Sequence, residues 1–211
     1  MRHQLGQGLS ELDIDLSDVQ QQLLIQYLEL LSRWNKTYNL TAIRDDSSMV
    51  TKHLLDSLAV LPHLQGQRFI DVGTGAGLPG IPLAIASPDR HFSLLDSNGK
   101  KTRFLVHAAN ELALDNVEVV KSRVADFVPK IAYDAVLSRA FASLDDMING
   151  CRHMLTSSGE FLAMKGQYPD EELTQLDTGL MQVSVVDLQV PGLSEYRCLL
   201  RIRPQKDLEQ A

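Results

Sequence analysis

The sequence has few cysteines and no long apolar run. Cys151 and Cys198 are its only cysteines, lie far apart and form no CxxC pair, so two free thiols in a reducing compartment are expected. No apolar stretch approaches the roughly 20 residues of a membrane span. The N-terminus lacks the continuous apolar segment of a signal peptide. These absences predict a cytoplasmic chain with no membrane partner.

Repeats, low-complexity tracts and linker-like stretches are also absent. With 211 residues, 44% hydrophobic and 22% charged, the composition excludes collagen-like and disordered chains and allows one well-buried core. The six histidines share no metal-ligand spacing, so no metal site is expected. Basic residues are outnumbered, which gives a net charge of −7 and argues against a nucleic-acid partner.

Two patterns divide the chain near residue 62. Residues 1–62 are predicted to be a helical extension, with an amphipathic stripe from Leu16 to Trp34, an N-cap at Ser17 and a second helix from Ser48 to Leu61. In residues 63–211, strands alternate with helices, which indicates βαβ units. The predicted strands are 68–72, 91–96, 117–120, 134–138 and 159–165, the predicted helices are 81–86, 100–113 and 144–154, and 183–190 with 197–202 form a closing hairpin. The expected fold is therefore α/β, a Rossmann-like, mostly parallel sheet with a C-terminal antiparallel hairpin.

A glycine loop follows the first predicted strand. Asp71 precedes Gly73, Gly75 and Gly77, and Asp96 ends the next strand. Open α/β sheets bind ligands at the carboxyl ends of their strands. Glycines there let the backbone approach a ligand closely, and a carboxylate in the position of Asp96 can accept hydrogen bonds from both hydroxyls of a ribose.

Two cofactors fit this loop. The pattern Gly75-x-Gly77-x-x-Gly80 matches a dinucleotide fingerprint. However, the carboxylate of Asp71 would repel a pyrophosphate, whereas S-adenosylmethionine (SAM) carries a cationic sulfonium and an ammonium. Asp71 therefore favours SAM and a class I SAM-dependent methyltransferase. A nicotinamide-dependent oxidoreductase remains the alternative.

Several further motifs resemble the RsmG (GidB) family of methyltransferases. They are Arg33-Trp34-Asn35-Lys36, Tyr38-Asn39-Leu40-Thr41, His53-Leu54-Leu55-Asp56-Ser57, the loop from Phe69 to Pro82, Ser138-Arg139-Ala140-Phe141-Ala142 and Lys165-Gly166. The resemblance extends from about Leu16 to Arg203. It implies transfer of a methyl group from SAM to N7 of a guanine in 16S ribosomal RNA, with S-adenosylhomocysteine as the product.

The resemblance also implies the residues of the site. Cofactor binding is expected at Asp71, Gly73, Gly75, Gly77, Leu78, Asp96, Val124, Ala125 and Arg139. Many relatives carry an acid at the position of Ala125, so only a backbone contact is expected there. Substrate-positioning roles fall to His53, Arg139 and Lys165, and RNA contacts to Asn39, Lys52, Arg123 and Arg197.

N7 of guanine exposes a lone pair and attacks without losing a proton, so no general base is required and positioning is the main demand. The implied substrate is 16S RNA within the 30S subunit or an assembly intermediate, and the chain is expected to be a monomer. An assembly factor that binds RNA without turnover is a further alternative. The net charge then predicts a small basic mouth rather than a basic surface, since local fields govern phosphate binding.

Overall fold

A computed structural model describes residues 1–139, 141, 143–176 and 181–204. These residues contain one seven-stranded sheet of order β3-β2-β1-β4-β5-β7-β6. The strands are β1 (Arg68–Val72), β2 (His91–Asp96), β3 (Val117–Lys121), β4 (Tyr133–Ser138), β5 (Leu155–Lys165), β6 (Met181–Asp187) and β7 (Cys198–Pro204). Strands β1 to β5 are parallel, and β7 runs antiparallel between β5 and β6. The predicted Rossmann-like sheet with a closing antiparallel hairpin is confirmed.

Eight α-helical segments surround this sheet among the described residues. They are α1 (Arg2–Glu11), α2 (Asp18–Tyr38), α3 (Asp46–Met49), α4 (Asp56–Leu58), α5 (Gly80–Ala86), α6 (Gly99–Glu111), α7 (Leu144–Cys151) and α8 (Asp170–Gln175). Predicted helices connect β1 to β2 (α5), β2 to β3 (α6) and β4 to β5 (α7). Such crossovers are what parallel neighbouring strands require.

Helix α2 begins at the predicted N-cap Ser17, which forms a capping box with Gln20. The Ser17 hydroxyl accepts from the Gln20 backbone N–H, and the Gln20 side chain accepts from the Ser17 backbone N–H. The apolar stripe of α2 is buried, and Tyr27 is fully enclosed. The Gln20 amide also donates to the last carbonyls of α5. Helix α2 is therefore fastened to the helix that follows the glycine loop.

The second predicted helix, 48–61, is not a regular α-helix. Residues Asp46–Met49 are α-helical, Val50–Leu55 form a π-helical segment, and Asp56–Leu58 return to α-helix. Periodicity misses this change, because buried apolar residues continue through all three parts. Single π turns within α-helices are frequent at functional sites, and this one carries His53.

Other boundaries differ from the predictions for local reasons. Strand β5 starts at Leu155, because Leu155 pairs with Tyr133 across an irregularity in the ladder, although polar residues 156–158 resemble a turn. Helix α6 ends before Ala113, which has a positive φ of 50°. Helices α1 and α8 had no specific prediction. The hairpin strands begin and end a few residues away from the predicted 183–190 and 197–202.

The sheet separates two apolar clusters. One packs α1, α2, α5 and α6 against the sheet, and the other packs α7 against the opposite face together with the thiols of Cys151 and Cys198. Both cysteines are buried and free. Because α1 and α2 belong to the same cluster as β1 and β2, the N-terminal helices contribute directly to the core that supports the glycine loop.

Candidate active site

The glycine loop turns sharply at the carboxyl end of β1. The backbone N–H groups of Gly73 and Thr74 both donate to the Leu95 carbonyl, at 2.9 and 3.2 Å. Gly75 has a positive φ of 63°, and a Cβ there would have no neighbour closer than 3.9 Å, so its face is open to a ligand. Gly77, in contrast, is buried, and a Cβ there would collide with Ile81. Gly77 therefore serves packing within the loop.

Asp71 holds this loop from beneath. Its Oδ2 accepts from Thr74 Oγ1 at 2.6 Å and from the Gly80 N–H at 2.9 Å. Burial raises the pKa of Asp71 to about 6, and these two hydrogen bonds and the charge of Arg139 oppose that rise. Its other oxygen, Oδ1, is buried and has no hydrogen-bond partner. One oxygen thus shapes the loop, and the other is available to a donor.

Asp96 lies at the carboxyl end of β2, beside the loop. Its Oδ2 accepts from the Gly75 N–H at 3.0 Å and from Lys101 Nζ at 3.3 Å, and its Oδ1 accepts from the Asn98 N–H at 2.8 Å. A carboxylate offers about four lone-pair positions. Asp96 therefore keeps capacity for a hydroxyl, and the half-exposed Lys101 contact is replaceable.

These groups fit SAM. The unpartnered Asp71 Oδ1 suits an ammonium, and Asp96 suits a ribose. Arg139 adds a second unpartnered buried atom, its Nη1, which is a donor that suits a carboxylate. A nicotinamide dinucleotide would instead bring a pyrophosphate to a loop that rests on a carboxylate.

Two arginines meet on one buried carboxylate next to the loop. Asp56, only 1% exposed, accepts from Arg139 Nη2 at 3.0 Å on Oδ2 and from Arg197 Nε at 3.1 Å on Oδ1. Arg139 follows β4, and the neighbouring Ser138 hydroxyl donates to the Val72 carbonyl at 3.0 Å. The arginines are thereby held at the carboxyl edge of the sheet.

His53 lies beside this arginine cluster. Its Nε2 is 3.0 Å from Thr41 Oγ1, which joins the loop 39–41 to the π-helical segment. Burial, and then the charge of Arg139, lower the pKa of His53 to about 4. The imidazole is therefore neutral at physiological pH and adds no charge to the site.

Lys165 ends β5 and pairs with Glu172 of α8. Lys165 Nζ lies 2.8 Å from Glu172 Oε1 and 2.9 Å from Oε2. A Cβ on the neighbouring Gly166 would lie 3.4 Å from Arg197 Nη1. The lysine pair therefore adjoins the arginine cluster.

The remaining predicted residues are Asn39, Lys52, Arg123, Val124 and Ala125. Asn39 caps the end of α2 and accepts from Arg44, and Lys52 pairs with Glu195 at 2.7 Å. Arg123 is exposed. Val124 and Ala125 lie in a short 3₁₀ turn after β3, the strand that pairs with the Asp96 strand. Ala140 and Ala142 lie outside the described residues.

Arg201 and Arg203 lie on β7, which begins directly after Arg197, but they do not belong to this site. Both bind Glu160, which is 3% exposed, and Arg203 and Glu160 line a separate cavity of about 480 Å³ together with Gln65 and Asp134. Asp134 lies near the start of β4. This cavity is therefore at the amino ends of the parallel strands, opposite the glycine loop. Arg197 therefore binds a different carboxylate from Arg201 and Arg203.

Sequence reasoning assigned no role to Asp56, Thr41 or Glu172. Thr41 and Asp56 belong to the motifs Tyr38–Thr41 and His53–Ser57. The three-residue spacing of His53 and Asp56 was the pattern that could have indicated a shared site. Glu172 gave no signal, since its partners are distant in sequence. Among the residues that the structure describes, no group of three histidine, cysteine or acidic side chains could hold a metal ion. None of their helices is long and apolar enough to cross a membrane.

Solved structures place the fold in a class. A SAM-dependent methyltransferase from Aquifex aeolicus matches 82% of this chain and 98% of its own, with a TM-score of 0.59 at 19% identity. A ribosomal protein L11 methylase from Lactobacillus delbrueckii subsp. bulgaricus matches 72% of this chain and 77% of its own, with a TM-score of 0.57 at 17% identity. The open sheet, the glycine loop and Asp96 thus define a class I SAM-dependent methyltransferase.

Sequence comparison makes the assignment more specific. Residues 20–200 match the model of the family described as rRNA small subunit methyltransferase G, or GidB. The ribosomal RNA small subunit methyltransferase G of Yersinia enterocolitica is 53% identical over 96% of this chain and 99% of its own length, and that of Escherichia fergusonii is 50% identical over 98% and 100%. The chain belongs to the rRNA small subunit methyltransferase G family.

Proposed function

We propose that the chain transfers a methyl group from SAM to N7 of a specific guanine in 16S ribosomal RNA. The observation that carries this proposal is the family match over residues 20–200, which includes the glycine loop, Asp96 and the arginine cluster. We further propose that the substrate is the 30S subunit or an assembly intermediate, and that the chain acts as a cytoplasmic monomer. A helical extension, 1–62, supports a methyltransferase core, 63–211, of which residues 140, 142, 177–180 and 205–211 lie outside the described part.

The proposed cofactor contacts are based on the buried atoms of the site that have no hydrogen-bond partner. Gly73, Gly75, Leu78 and the Val124–Ala125 backbone are the further proposed contacts of the cofactor, beside Asp96. Asp71 Oδ1 accepts from the ammonium, and Arg139 Nη1 donates to the carboxylate of the cofactor. SAM, when bound, supplies a methyl group activated by a sulfonium.

Positioning dominates the chemistry of the chain. Guanine N7 uses its own lone pair, so no side chain has to remove a proton, and the neutral His53 is not needed as a base. Holding the two reacting groups in line lowers the activation barrier of the transfer by a large amount. His53, Arg139 and Lys165 take this role. Asn39, Lys52, Arg123 and Arg197 contact the RNA around the guanine, where phosphate contacts fix the register.

The proposal is tested by transfer of labelled methyl from SAM to 30S subunits that lack the modification. Wild-type protein should label 16S RNA and bind SAM but not NAD in calorimetry. Arg139→Ala should abolish labelling, because it removes both the partner of Asp56 and the unpartnered donor. Arg203→Ala is the matched control, since Arg203 lies at the opposite edge and should leave labelling unchanged. A fully active Arg139→Ala variant would contradict the role given to this residue.

A further inference from the structure

Glu172 and Lys165 line a cavity beside the arginine cluster. The cavity has a volume of about 700 Å³ and is formed by residues 165–172, within the roughly 300–1,000 Å³ of typical small-molecule sites. We propose that this cavity holds the target guanine by its Watson–Crick edge. Glu172 accepts from N1–H and the 2-amino group, and Lys165 donates to O6. This inference rests on the proposed function, because it names how the base of that reaction is selected.

The reaction itself limits which edge of guanine the protein can read. N7 must face the methyl group, so recognition falls to the Watson–Crick edge. Two donors, N1–H and the 2-amino group, lie side by side there. A carboxylate accepts both, since each of its oxygens carries lone pairs. Adenine presents an acceptor at N1, so the same carboxylate would repel it.

Glu172 is held in place for this role. Its Oε2 accepts from the Leu144 backbone N–H at 2.7 Å, at the start of α7, which fixes the carboxylate to the core. Its Oε1 accepts from Lys165 Nζ at 2.8 Å. Lys165 has a flexible stem, so its ammonium can shift towards O6 while the carboxylate stays. The ion pair thus keeps both groups in position before the base arrives.

The other buried carboxylates near this edge already have partners. Asp56 holds Arg139 and Arg197. Asp71 and Asp96 hold the glycine loop. Glu172 accepts from the Leu144 backbone N–H and from Lys165, whose ammonium can move, and its side chain is 26% exposed at the cavity. It is therefore the acceptor that a guanine can reach.

Tyr168 completes the cavity with an aromatic face. It is 49% exposed and lies in the turn between β5 and α8. Proteins commonly hold unpaired RNA bases by stacking them on tyrosine, phenylalanine or arginine planes. Glu172 and Lys165 supply the edge contacts that stacking alone does not, so the three side chains together distinguish guanine from other bases.

A carboxylate at this place also favours the transition state. Methylation of N7 makes the guanine ring cationic, and a fixed negative charge at the opposite edge stabilises that charge as it develops. Interactions that strengthen in the transition state raise kcat as well as kcat/KM. Loss of the Glu172 charge should therefore affect both constants.

The first test compares the kinetics of a variant that lacks the Glu172 carboxylate with those of a variant that lacks an exposed carboxylate elsewhere. Glu172→Gln keeps size but presents an amide, and kcat/KM for 30S subunits should fall about 10- to 100-fold, as expected for a lost hydrogen bond to a charged group. The SAM dissociation constant should not change. Glu111→Gln, which removes the same charge from an exposed side chain at the end of α6 and outside this cavity, should retain wild-type kinetics. Unchanged kcat/KM in Glu172→Gln would overturn the proposal.

The second test changes the substrate and needs no variant to fold. After the wild-type product is mapped, 30S subunits are reconstituted with inosine at that position, which lacks only the 2-amino group. Wild-type kcat/KM should fall about 10- to 100-fold, and the Glu172→Gln variant should discriminate less between the two substrates. Equal rates on guanosine and inosine would overturn the inference and leave the proposed function intact. A wild-type protein that methylates no 16S RNA would overturn both.

Discussion

At the scale of the residue, Asp56 is the carboxylate on which the site depends. Its two oxygens bind different arginines, one after β4 and one before β7. The carboxylate is almost fully buried, and a buried charge is stable only when it is paired and hydrogen-bonded. Asp56 therefore fixes the arginines before any RNA arrives, which reduces the ordering cost of binding.

Replacing this carboxylate should destabilise the chain. Asp56→Asn leaves both arginines without a charged partner, and we expect a loss of about 3 kcal/mol in the free energy of unfolding, at the low end for a broken buried pair because the arginines are partly exposed. The midpoint of urea unfolding measures it. Asp18→Asn, which breaks an exposed pair with Arg2, should leave the midpoint unchanged. Equal stability of Asp56→Asn and wild type would show that the cluster is not held this way.

The site residues differ in how far sequence could predict them. Asp71, Gly75 and Asp96 could be placed because they lie at or just after the carboxyl ends of two neighbouring parallel strands, which meet at one edge. Glu172 could not, since its contacts with Lys165 and Leu144 depend on where a short helix docks. The division of Arg197 from Arg201 and Arg203 also escaped prediction. Strand spacing gives a shared face but not which end of the strand holds each partner.

At the scale of the element, the N-terminal helices contact the glycine loop and the π-helical segment that carries His53. The Tyr27 hydroxyl of α2 donates to the Ala76 carbonyl of the glycine loop at 2.8 Å, and burial raises the pKa of that hydroxyl. Helix α1 in turn packs on the π-helical segment that carries His53. Strands β1 and β2 were predicted within a residue because short β-rich runs end at clear turns. The π-helical segment Val50–Leu55 was not predicted, because its apolar residues continue the spacing of an α-helix.

Two glycines of α1 test its docking with opposite signs. A Cβ on Gly6 would meet nothing within 4 Å, so Gly6→Ala should stabilise the chain by about 0.5–1 kcal/mol through helix propensity. A Cβ on Gly8 would collide with the Leu55 side chain, so Gly8→Ala should destabilise it by about 1–3 kcal/mol, as overpacking does. Thermal unfolding of both variants measures the pair. Stabilisation by both substitutions would mean that α1 does not pack on Leu55.

At the scale of the whole molecule, two buried groups give opposing pH dependences. The pKa of His53 falls from 6.5 to about 4 on folding, so its contribution to stability is complete above pH 6.5 and is lost as pH falls towards 4. The pKa of Asp71 rises from 3.8 to about 6, so its contribution is complete below pH 3.8 and is lost as pH rises through 6. Each amounts to about 3 kcal/mol.

Single substitutions should separate the two contributions. In the protein without SAM, the two nearly cancel between pH 4 and 6.5. Asp71→Asn should leave a free energy of unfolding that rises with pH over this range, and His53→Gln one that falls. Urea unfolding at several pH values measures both slopes. Parallel slopes in the two variants would contradict the assignment of these pKa shifts.

The net charge restricts how RNA is bound. The chain has a net charge of −7, and four basic residues assigned to the site, Lys52, Arg139, Lys165 and Arg197, are already paired with Asp56, Glu172 or Glu195. We expect binding to arbitrary RNA to be weak, with a dissociation constant at physiological salt no tighter than the 10⁻⁴–10⁻⁶ M of non-specific binding. Fluorescence anisotropy with an unrelated RNA tests this. Tight, sequence-independent binding would require a basic surface beyond the described site.

The most direct test of the central claim is the identity of the methylated nucleoside. 30S subunits that lack the modification are incubated with the chain and SAM labelled in its methyl group, and the 16S RNA is digested to nucleosides and separated with mass detection. The label should appear in 7-methylguanosine, from one position of the RNA. Absence of label, or label in any other nucleoside, would contradict the account.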